Sequence, residues 1–318
     1  MARLTALPRS ASNEDTVREL RRALAGKSNV LAAKAADIAA ECAATALVSD
    51  LAAAFDRLLP EPDKADKGCL AKIAIVRALN SLEYDDTELF LQGIRHFQLE
   101  PAFGGRVDVA DHLRAESAFG LVRLGYLEVL FELTTLLSDP EIAARRAAIE
   151  ALRMVAAEAC ELLLRLKASS GDAEPELMGE VLSALVSINF ERSKELVARF
   201  LSSRDQIIAQ GAALALGETR RPEAFDLLRR QWRSWIDGER RKVLLLPIAL
   251  LRSDESVRFL VQVVRNDPRE LAIAALAALR IYADDPDRRE TVRAAALQRD
   301  DSDVAEAYVR EFGRDART

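Results

Sequence analysis

Positive charge and tryptophan occur together in the segment LLRRQWRSWIDGERRKV, residues 227–243, which has the composition of a nucleic-acid-binding surface. Arginine and lysine bind phosphates, and exposed indole rings stack on bases. On a helix from about 223 to 236, however, Trp232 and Trp235 share one face with Phe225, which is the pattern of a core-facing helix. Packing is therefore the favoured interpretation of the tryptophans, and the arginines of the opposite face form a basic exterior patch.

Catalytic and nucleotide-binding signatures are absent from the sequence, which contains no GxSxG, GxxxxGK, GxGxxG or HExxH motif. His96 and His112 lack the helical spacing and the adjacent glutamate of a metal site, so we expect structural or exposed side chains. Cys42, Cys69 and Cys160 form no CxxC pair and are expected to be buried thiols. The sequence thus predicts no catalytic, cofactor-binding or metal-binding residues, and a protein that is not an enzyme.

Clustered aspartates are the remaining candidates for a cation site. Their spacing lacks the glycine and the terminal glutamate of a calcium loop. They occur in short polar segments between helical stretches, where aspartate accepts hydrogen bonds from the free N–H groups of a helix start. We therefore interpret them as helix caps: Asp85, Asp86, Asp284, Asp285, Asp287, Asp300, Asp301 and Asp303.

Composition favours an all-α protein. Half of the 318 residues are apolar but only 5% are aromatic, and alanine and leucine dominate. The net charge of -6 does not favour nucleic acid or an anionic membrane as a partner. The longest apolar runs, such as residues 243–251, are about half of a membrane span. We expect a cytoplasmic protein with no membrane association, and a disordered tail over residues 1–13.

An internal repeat organises the chain. An Ala-Leu pair, replaced by Gly-Leu in one case, recurs at the end of apolar stretches. Successive pairs are 42, 31, 33, 31, 34 and 29 residues apart. Each unit reads as a small-residue helix, a polar turn, a second helix rich in leucine and phenylalanine, and another turn. This pattern predicts stacked helical hairpins. The pairs begin at Ala78, Gly120, Ala151, Ala184, Ala215, Ala249 and Ala278.

The segments GAALALGETRRPEAFDLLRRQW, residues 211–232, and SDPEIAARRAAIEALRMV, residues 138–155, resemble the short bacterial HEAT-like repeat, the type also found in phycobilin lyase subunits. The resemblance extends in weaker form from about residue 28 to the end. It implies a right-handed α-α superhelix of the HEAT-like or armadillo type, with about eight helical hairpins in a single solenoid over residues 1–318. The tetratricopeptide repeat is the nearest alternative, but its Trp and Tyr positions are not matched.

Two departures from the repeat stand out. The family's arginine after the turn aspartate is matched plainly only by Arg114 after Asp111, so the sequence does not predict a continuous Asp–Arg ladder. The 42-residue step contains an insertion loop between helices at residues 97–112, where Pro101, Gly104 and Gly105 prevent a continuous helix. Extra length in a solenoid emerges on one face, where it is available for binding.

The resemblance implies that the alanine-rich helices line the concave face, and several of their outward positions are apolar. We count these positions from the conserved leucine. The predicted contact surface comprises Phe119, Val122, Leu214, Ile248 and Leu251, with Arg77, Glu150, Arg153 and Arg280 as polar flanks. Three explanations stay open for the apolar strip: burial inside a tightly curved superhelix, pairing with a second copy in a homodimer, or binding of a segment of another protein.

The function favoured by these observations is a non-enzymatic scaffold or adaptor that binds a protein partner on the concave face. One alternative is an enzyme accessory similar to the phycobilin lyases. Another is nucleic-acid binding, as in HEAT-like DNA glycosylases, against which the net charge argues. The His-Glu pairs that bind iron in HEAT-like deoxyhypusine hydroxylases are absent, so that enzyme class is discarded.

Overall fold

Helices form almost all of the computed structural model, which describes residues 14–313. The predicted all-α class and the repeat of stacked helical hairpins are confirmed. The chain divides into two compact units, the first ending at Ala156 and the second beginning at Ala157. The predicted tail over residues 1–13 lies outside the described residues, and the single solenoid over residues 1–318 stays a prediction.

Unit 1 alternates between an outer and an inner layer of helices. Its helices are α1 (Glu14–Ala25), α2 (Asn29–Glu41), α3 (Val48–Leu58), α4 (Pro62–Ala65), α5 (Leu70–Ser81), α6 (Thr87–Ile94), α7 (Asp111–Arg123), α8 (Val129–Leu136) and α9 (Ile142–Val155). The inner helices α2, α5, α7 and α9 stack on one another in that order, whereas α1, α3, α6 and α8 form the outer layer. Short 3-10 turns occur at Thr45–Leu47 and Lys67–Cys69.

Unit 2 repeats the same arrangement. Its helices are α10 (Glu158–Ser170), α11 (Pro175–Ile188), α12 (Phe190–Phe200), α13 (Gln206–Glu218), α14 (Pro222–Ser234), α15 (Gly238–Leu250), α16 (Asp254–Asn266), α17 (Arg269–Leu279), α18 (Pro286–Leu297) and α19 (Ser302–Phe312), with a 3-10 turn at Arg280–Tyr282. The odd-numbered helices from α11 to α19 stack as the inner layer, and the even-numbered helices form the outer layer. Within unit 2, each inner helix therefore contacts the inner helices of the neighbouring repeats.

Residue size separates the two layers. A Cβ added at Gly211 would lie 2.6 Å from the Gly179 Cα, so α11 and α13 meet backbone to backbone. In the outer layer, the rings of Phe225 and Trp232 pack edge-on against Phe259, with centroids 5.8 and 5.4 Å apart. Small residues allow close stacking of the inner helices, and bulky side chains fill the wider spaces between outer helices.

Aspartates start several helices, as the sequence predicts. The Asp86 side chain accepts a hydrogen bond from the Glu88 N–H, and Asp285 accepts one from the Arg288 N–H. Asp301 caps α19 through the N–H groups of Asp303 and Val304. These bonds satisfy N–H groups that have no partner within the helix. The capping interpretation of these three aspartates is confirmed.

Within the predicted insertion at residues 97–112, residues 99–108 form an ordered β-hairpin rather than an irregular loop. Strands β1 (Leu99–Ala102) and β2 (Gly105–Asp108) are antiparallel, and Leu99 pairs with Asp108 in the register. The turn requires Gly104, whose φ is +90°. Helix α7 already begins at Asp111, inside the range predicted for the insertion.

Replacement of Gly217 by alanine tests the close stacking of the inner helices. A Cβ at this position would lie 2.4 Å from the Pro247 carbonyl oxygen, whereas nothing lies within 4 Å of a Cβ at Gly238. We expect Gly217→Ala to lower the free energy of unfolding by about 1–3 kcal/mol because two backbones must separate. Gly238→Ala is the matched control and should not destabilise the protein. Equal urea midpoints for the two variants would contradict the close approach of α13 and α15.

Candidate protein-binding surface

The register of the inner helices is set by their N-cap residues. In α13 the Ala-Leu pair begins at Ala215, ten residues after the N-cap residue Asp205. Helices α9 and α11 show the same spacing from their N-cap residues. In α15, Pro247 lies ten residues after the N-cap residue Asp237. The Pro247-Ile248 pair therefore aligns with the Ala-Leu pairs of the other inner helices. The sequence-based register of α15, which began at Ala249, is therefore wrong by two residues.

This shift corrects two of the predicted surface residues. Ile248 has no exposed area and Leu251 is also buried, so both belong to the core instead of the contact surface. Ile248 occupies the position of the conserved core leucine. Leu246, which is not among the predicted contact residues, takes the outward position that Leu214 has in α13, and it is 43% exposed. For Ile248 and Leu251, internal burial is thus the correct explanation.

The outward position carries small or apolar residues throughout unit 2. It is occupied by Ser183, Leu214, Leu246 and Ala277 on four consecutive inner helices, and all four are at least partly exposed. Further partly exposed apolar side chains lie on the same helices. We define the inner strip as six residues: Ile207, Leu214, Leu246, Leu250, Ile273 and Ala277. All six side chains are apolar and at least partly exposed.

Unit 1 carries a different surface at the same position. Arg77 is exposed and its Nε lies 2.7 Å from the Glu116 Oε1, on the neighbouring inner helix α7. Glu150 and Arg153 form an ion pair on α9, and the hydrogen bond from Arg153 lowers the pKa of Glu150. Phe119 and Val122 are only partly exposed. Of the predicted contact residues, these five therefore belong to unit 1, where the face is mainly charged.

The other predicted residues lie in unit 2. Leu214 is partly exposed on α13, and Arg280 is exposed at the end of α17, with its Nη1 3.9 Å from the Glu311 Oε2. Ile248 and Leu251 are in the core. The predicted set is therefore divided between the two units, and within unit 2 only Leu214 and Arg280 are accessible.

A buried ion-pair ladder holds the repeats of unit 1 together. The Arg114 guanidinium donates to both carboxylate oxygens of Asp139, at 2.8 and 2.9 Å, and its Nη1 lies 2.6 Å from the Asp108 Oδ2. Arg145 then donates to the Asp139 and Pro140 carbonyl oxygens. The partners of Arg114 are thus the aspartates before α7 and α9, not Asp111. The ladder that the sequence did not predict exists in this unit.

The β-hairpin joins the same network at the start of α5. The Glu100 carboxylate accepts hydrogen bonds from the Gly68 N–H and from the Gln98 amide, both at 2.7 Å. Asp66 is fully buried, caps α5 and lies 3.1 Å from the Lys72 ammonium. A spacing of six residues from aspartate to cation recurs at Asp66, Asp108 and Asp139. That spacing was the signal in the sequence for the ladder.

Two reactive side chains border this network. Burial raises the pKa of the Cys69 thiol to about 12, so the thiolate is scarce at neutral pH and the residue is a poor nucleophile. Burial also lowers the pKa of His96, because the charged imidazolium is disfavoured away from water. The predicted burial of Cys69 and Cys160 is confirmed, whereas Cys42 is partly exposed. The chemistry of this region is therefore structural.

The tryptophans of the basic segment are core residues, as predicted. Trp232 and Trp235 are both buried, and the guanidinium groups of Arg241 and Arg240 lie 5.2 and 5.0 Å from their ring centroids. Helix α14 ends at Ser234, so Trp235 follows the helix rather than belonging to it. Neither indole ring is available for stacking on a base.

Among residues 14–313, no group of three or more histidine, cysteine or acidic side chains is arranged to hold a metal ion. Within the same residues, every helix is too short or too polar to cross a membrane.

Comparison with known proteins identifies similar structures but no similar sequences. No family model matches the sequence, and no curated protein matches it. The complex of CpcE and CpcF of phycocyanin lyase from Nostoc sp. PCC7120 is 17% identical over 82% of this chain and 93% of that chain, with a TM-score of 0.40. An engineered protein is also 17% identical, over 93% and 87%, with a TM-score of 0.41. Human deoxyhypusine hydroxylase is 14% identical over 96% and 86%, with a TM-score of 0.26.

One expectation from the sequence is corrected by this comparison. The absence of catalytic motifs led to the prediction that the protein is not an enzyme. A structure similar to this chain is that of a phycocyanin lyase, so an enzyme-like protein carries this kind of helical repeat. The prediction is therefore wrong, because the absence of known catalytic motifs does not separate enzymes from proteins that are not enzymes.

The corrected register of α15 predicts opposite effects for two neighbouring residues. Ile248→Ala removes a fully buried side chain, so we expect the free energy of unfolding to fall by about 2–5 kcal/mol. Leu246→Ala removes a half-exposed side chain and should cost less than about 1 kcal/mol. Chemical denaturation followed by circular dichroism measures both. A larger loss for Leu246→Ala would restore the original register.

Truncation of Arg114 tests the ladder of unit 1. The guanidinium is almost completely buried, and Arg114→Ala leaves the carboxylates of Asp108 and Asp139 without it. We expect a loss of about 3–5 kcal/mol in the free energy of unfolding. Arg95 pairs with Glu132 at the surface, so the control Arg95→Ala should cost at most about 1 kcal/mol. Similar losses in the two variants would show that the ladder contributes no special stability.

Proposed function

We propose that the protein is an interaction module that binds an amphipathic helix of a protein partner on the inner strip of unit 2. The observation that carries this proposal is the row of accessible Leu214, Leu246 and Ala277 on three adjacent inner helices. An apolar row exposed to water is costly for a soluble domain, and burial against a partner removes that cost.

Layer geometry supports an inner surface that curves around its ligand. Helices that carry alanine and glycine stack more closely than helices that carry phenylalanine and tryptophan. The layer with the shorter spacing lies on the concave side of a curved stack, and such surfaces bind extended partners. Gly179, Gly211 and Gly217, which all make close backbone contacts, belong to this inner layer.

The spacing of the row matches an α-helix. Adjacent packed helices are about 8–10 Å apart, so Leu214, Leu246 and Ala277 form a row of about 20 Å. Residues seven apart on a helix are separated by about 10.5 Å along its axis and point in nearly the same direction. A partner helix that crosses the inner helices therefore presents one apolar side chain to each repeat, and about 14 residues cover the row.

Substitution of the two leucines tests the proposal. We expect Leu214→Glu plus Leu246→Glu to weaken partner binding by about 10-fold to 100-fold, because two apolar contacts at the centre of the interface are replaced by charge. The partner is captured from an extract of the native cells, identified by mass spectrometry and titrated in purified form. Wild type and variant must show equal helicity by circular dichroism.

Unit 2 offers a matched control for this experiment. Leu162 and Leu166 on the outer helix α10 are 64% and 66% exposed, so Leu162→Glu plus Leu166→Glu makes the same chemical change away from the inner strip. Binding must persist in the control. If both pairs of substitutions weaken binding equally, or neither does, the inner strip is not the contact surface.

The alternative functions suggested by the sequence predict different measurements on the same purified protein. A phycobilin-lyase-like role predicts a shift in the absorption spectrum of an added bilin. Nucleic-acid binding predicts a salt-dependent change in the mobility of a labelled duplex. Pairing of the inner strip with a second copy predicts a dimer in sedimentation that the leucine variant abolishes.

A further inference from the structure

We propose that a second surface of unit 2, separate from the inner strip, binds an acidic segment of a protein partner. We define the basic edge as four exposed arginines near the carboxyl ends of three successive outer helices: Arg199 on α12, Arg230 and Arg233 on α14, and Arg265 on α16. The three helices are neighbours. Ser202 donates to the Gln231 side chain, and the Trp232 ring packs on Phe259.

Cations near the ends of other outer helices are used within the protein. In unit 1, the Arg57 Nη2 donates to the Leu24 carbonyl oxygen at 2.7 Å, and Arg95 pairs with Glu132. In unit 2, Lys167 lies 2.7 Å from Asp172. The side chains of the four arginines of the basic edge, by contrast, make no hydrogen bond or ion pair with any described residue. Their positive charge is therefore available to a ligand.

Nearby carboxylates do not neutralise the basic edge. Asp226 and Glu255 are both bound by Arg229, at 2.7 and 3.0 Å, and Arg229 is not one of the four. Glu195, one turn before Arg199 on α12, is exposed. Arg230 and Arg233 line a shallow cleft of about 310 Å³ together with Asp226 and Arg229. A local positive field exists although the chain carries a net charge of -6.

The surroundings of the basic edge favour a polypeptide over a nucleic acid. The two indoles of this region are buried, so bases find no ring to stack on. Ile236 follows Arg233 by three residues and is 95% exposed, which adds an apolar contact beside the charges. A segment that alternates acidic and apolar side chains satisfies both features.

The size of the basic edge sets the length of the segment. Three neighbouring helices span about 20 Å between the outermost axes. An extended chain advances about 3.3 Å per residue, so about six or seven residues cross the edge. A labelled peptide of about eight residues, made of glutamate and leucine, is therefore the appropriate probe.

Fluorescence anisotropy of this peptide tests the proposal. We expect wild-type binding that weakens as the ionic strength rises, because exposed charges are screened by salt. Arg230→Gln plus Arg233→Gln should weaken binding by about fivefold to tenfold, and Arg230→Lys plus Arg233→Lys should retain most of it. The matched control is Arg220→Gln plus Arg252→Gln, which removes two exposed arginines from the opposite edge of the same unit. The control should bind as wild type does.

Several outcomes would overturn the proposal. One is no binding of the peptide by the wild type at low salt, and another is equal loss in both glutamine variants. A third is tighter binding of duplex DNA, or of vesicles that contain phosphatidylserine, than of the peptide. Because the inner strip is untouched in these variants, failure here is distinguishable from failure of the inner-strip proposal. Equal helicity of all variants by circular dichroism completes the comparison.

Discussion

Close stacking of the inner helices is the constraint on which the structure depends. Gly179 and Gly211 bring the backbones of α11 and α13 together, and Gly217 does the same for α13 and α15. Helices this close leave room for alanine at their interfaces and require large side chains in the wider outer layer. The same geometry places one position of each inner helix, such as Leu214, toward solvent. The candidate binding surface is thus a direct consequence of how the repeats stack.

The two units stabilise this stacking in different ways. In unit 1, Lys72, Arg114 and Arg145 occupy equivalent positions and bind aspartates of the turns. Three of the four equivalent positions in unit 2 carry uncharged residues, and the fourth carries an arginine. The four residues are Met178, Ala209, Arg241 and Ala272. Buried ion pairs favour one geometry strongly because breaking one is costly, whereas apolar contacts are non-directional. At these positions unit 2 therefore relies mainly on packing.

Unit 2 consequently carries both surfaces proposed for binding. The inner strip is apolar, and the basic edge lies on outer helices whose terminal arginines are not used between repeats. An apolar surface contributes affinity, whereas exposed charges contribute mainly orientation and the rate of association. On the inner face of unit 1, charged side chains pair with one another, as Arg77 does with Glu116 and Glu150 with Arg153. The two units share the same helical repeat but differ in where their charged side chains lie and whether those side chains are paired.

The sequence by itself determined the helical class, the repeat, the caps at Asp86, Asp285 and Asp301, and the burial of Trp232, because these depend on local periodicity and on residues a few positions apart. The structure was needed to show which face of α15 packs inward, because two consecutive apolar pairs, Pro247-Ile248 and Ala249-Leu250, both fit the repeat in the sequence. Only the start of the helix after Asp237 distinguishes them. The structure was also needed to identify the ion-pair ladder, because Arg114 and Asp139 are 25 residues apart and meet only when two repeats stack. The tertiary structure alone decided which apolar side chains remain accessible, as each depends on its neighbours in the adjacent repeat.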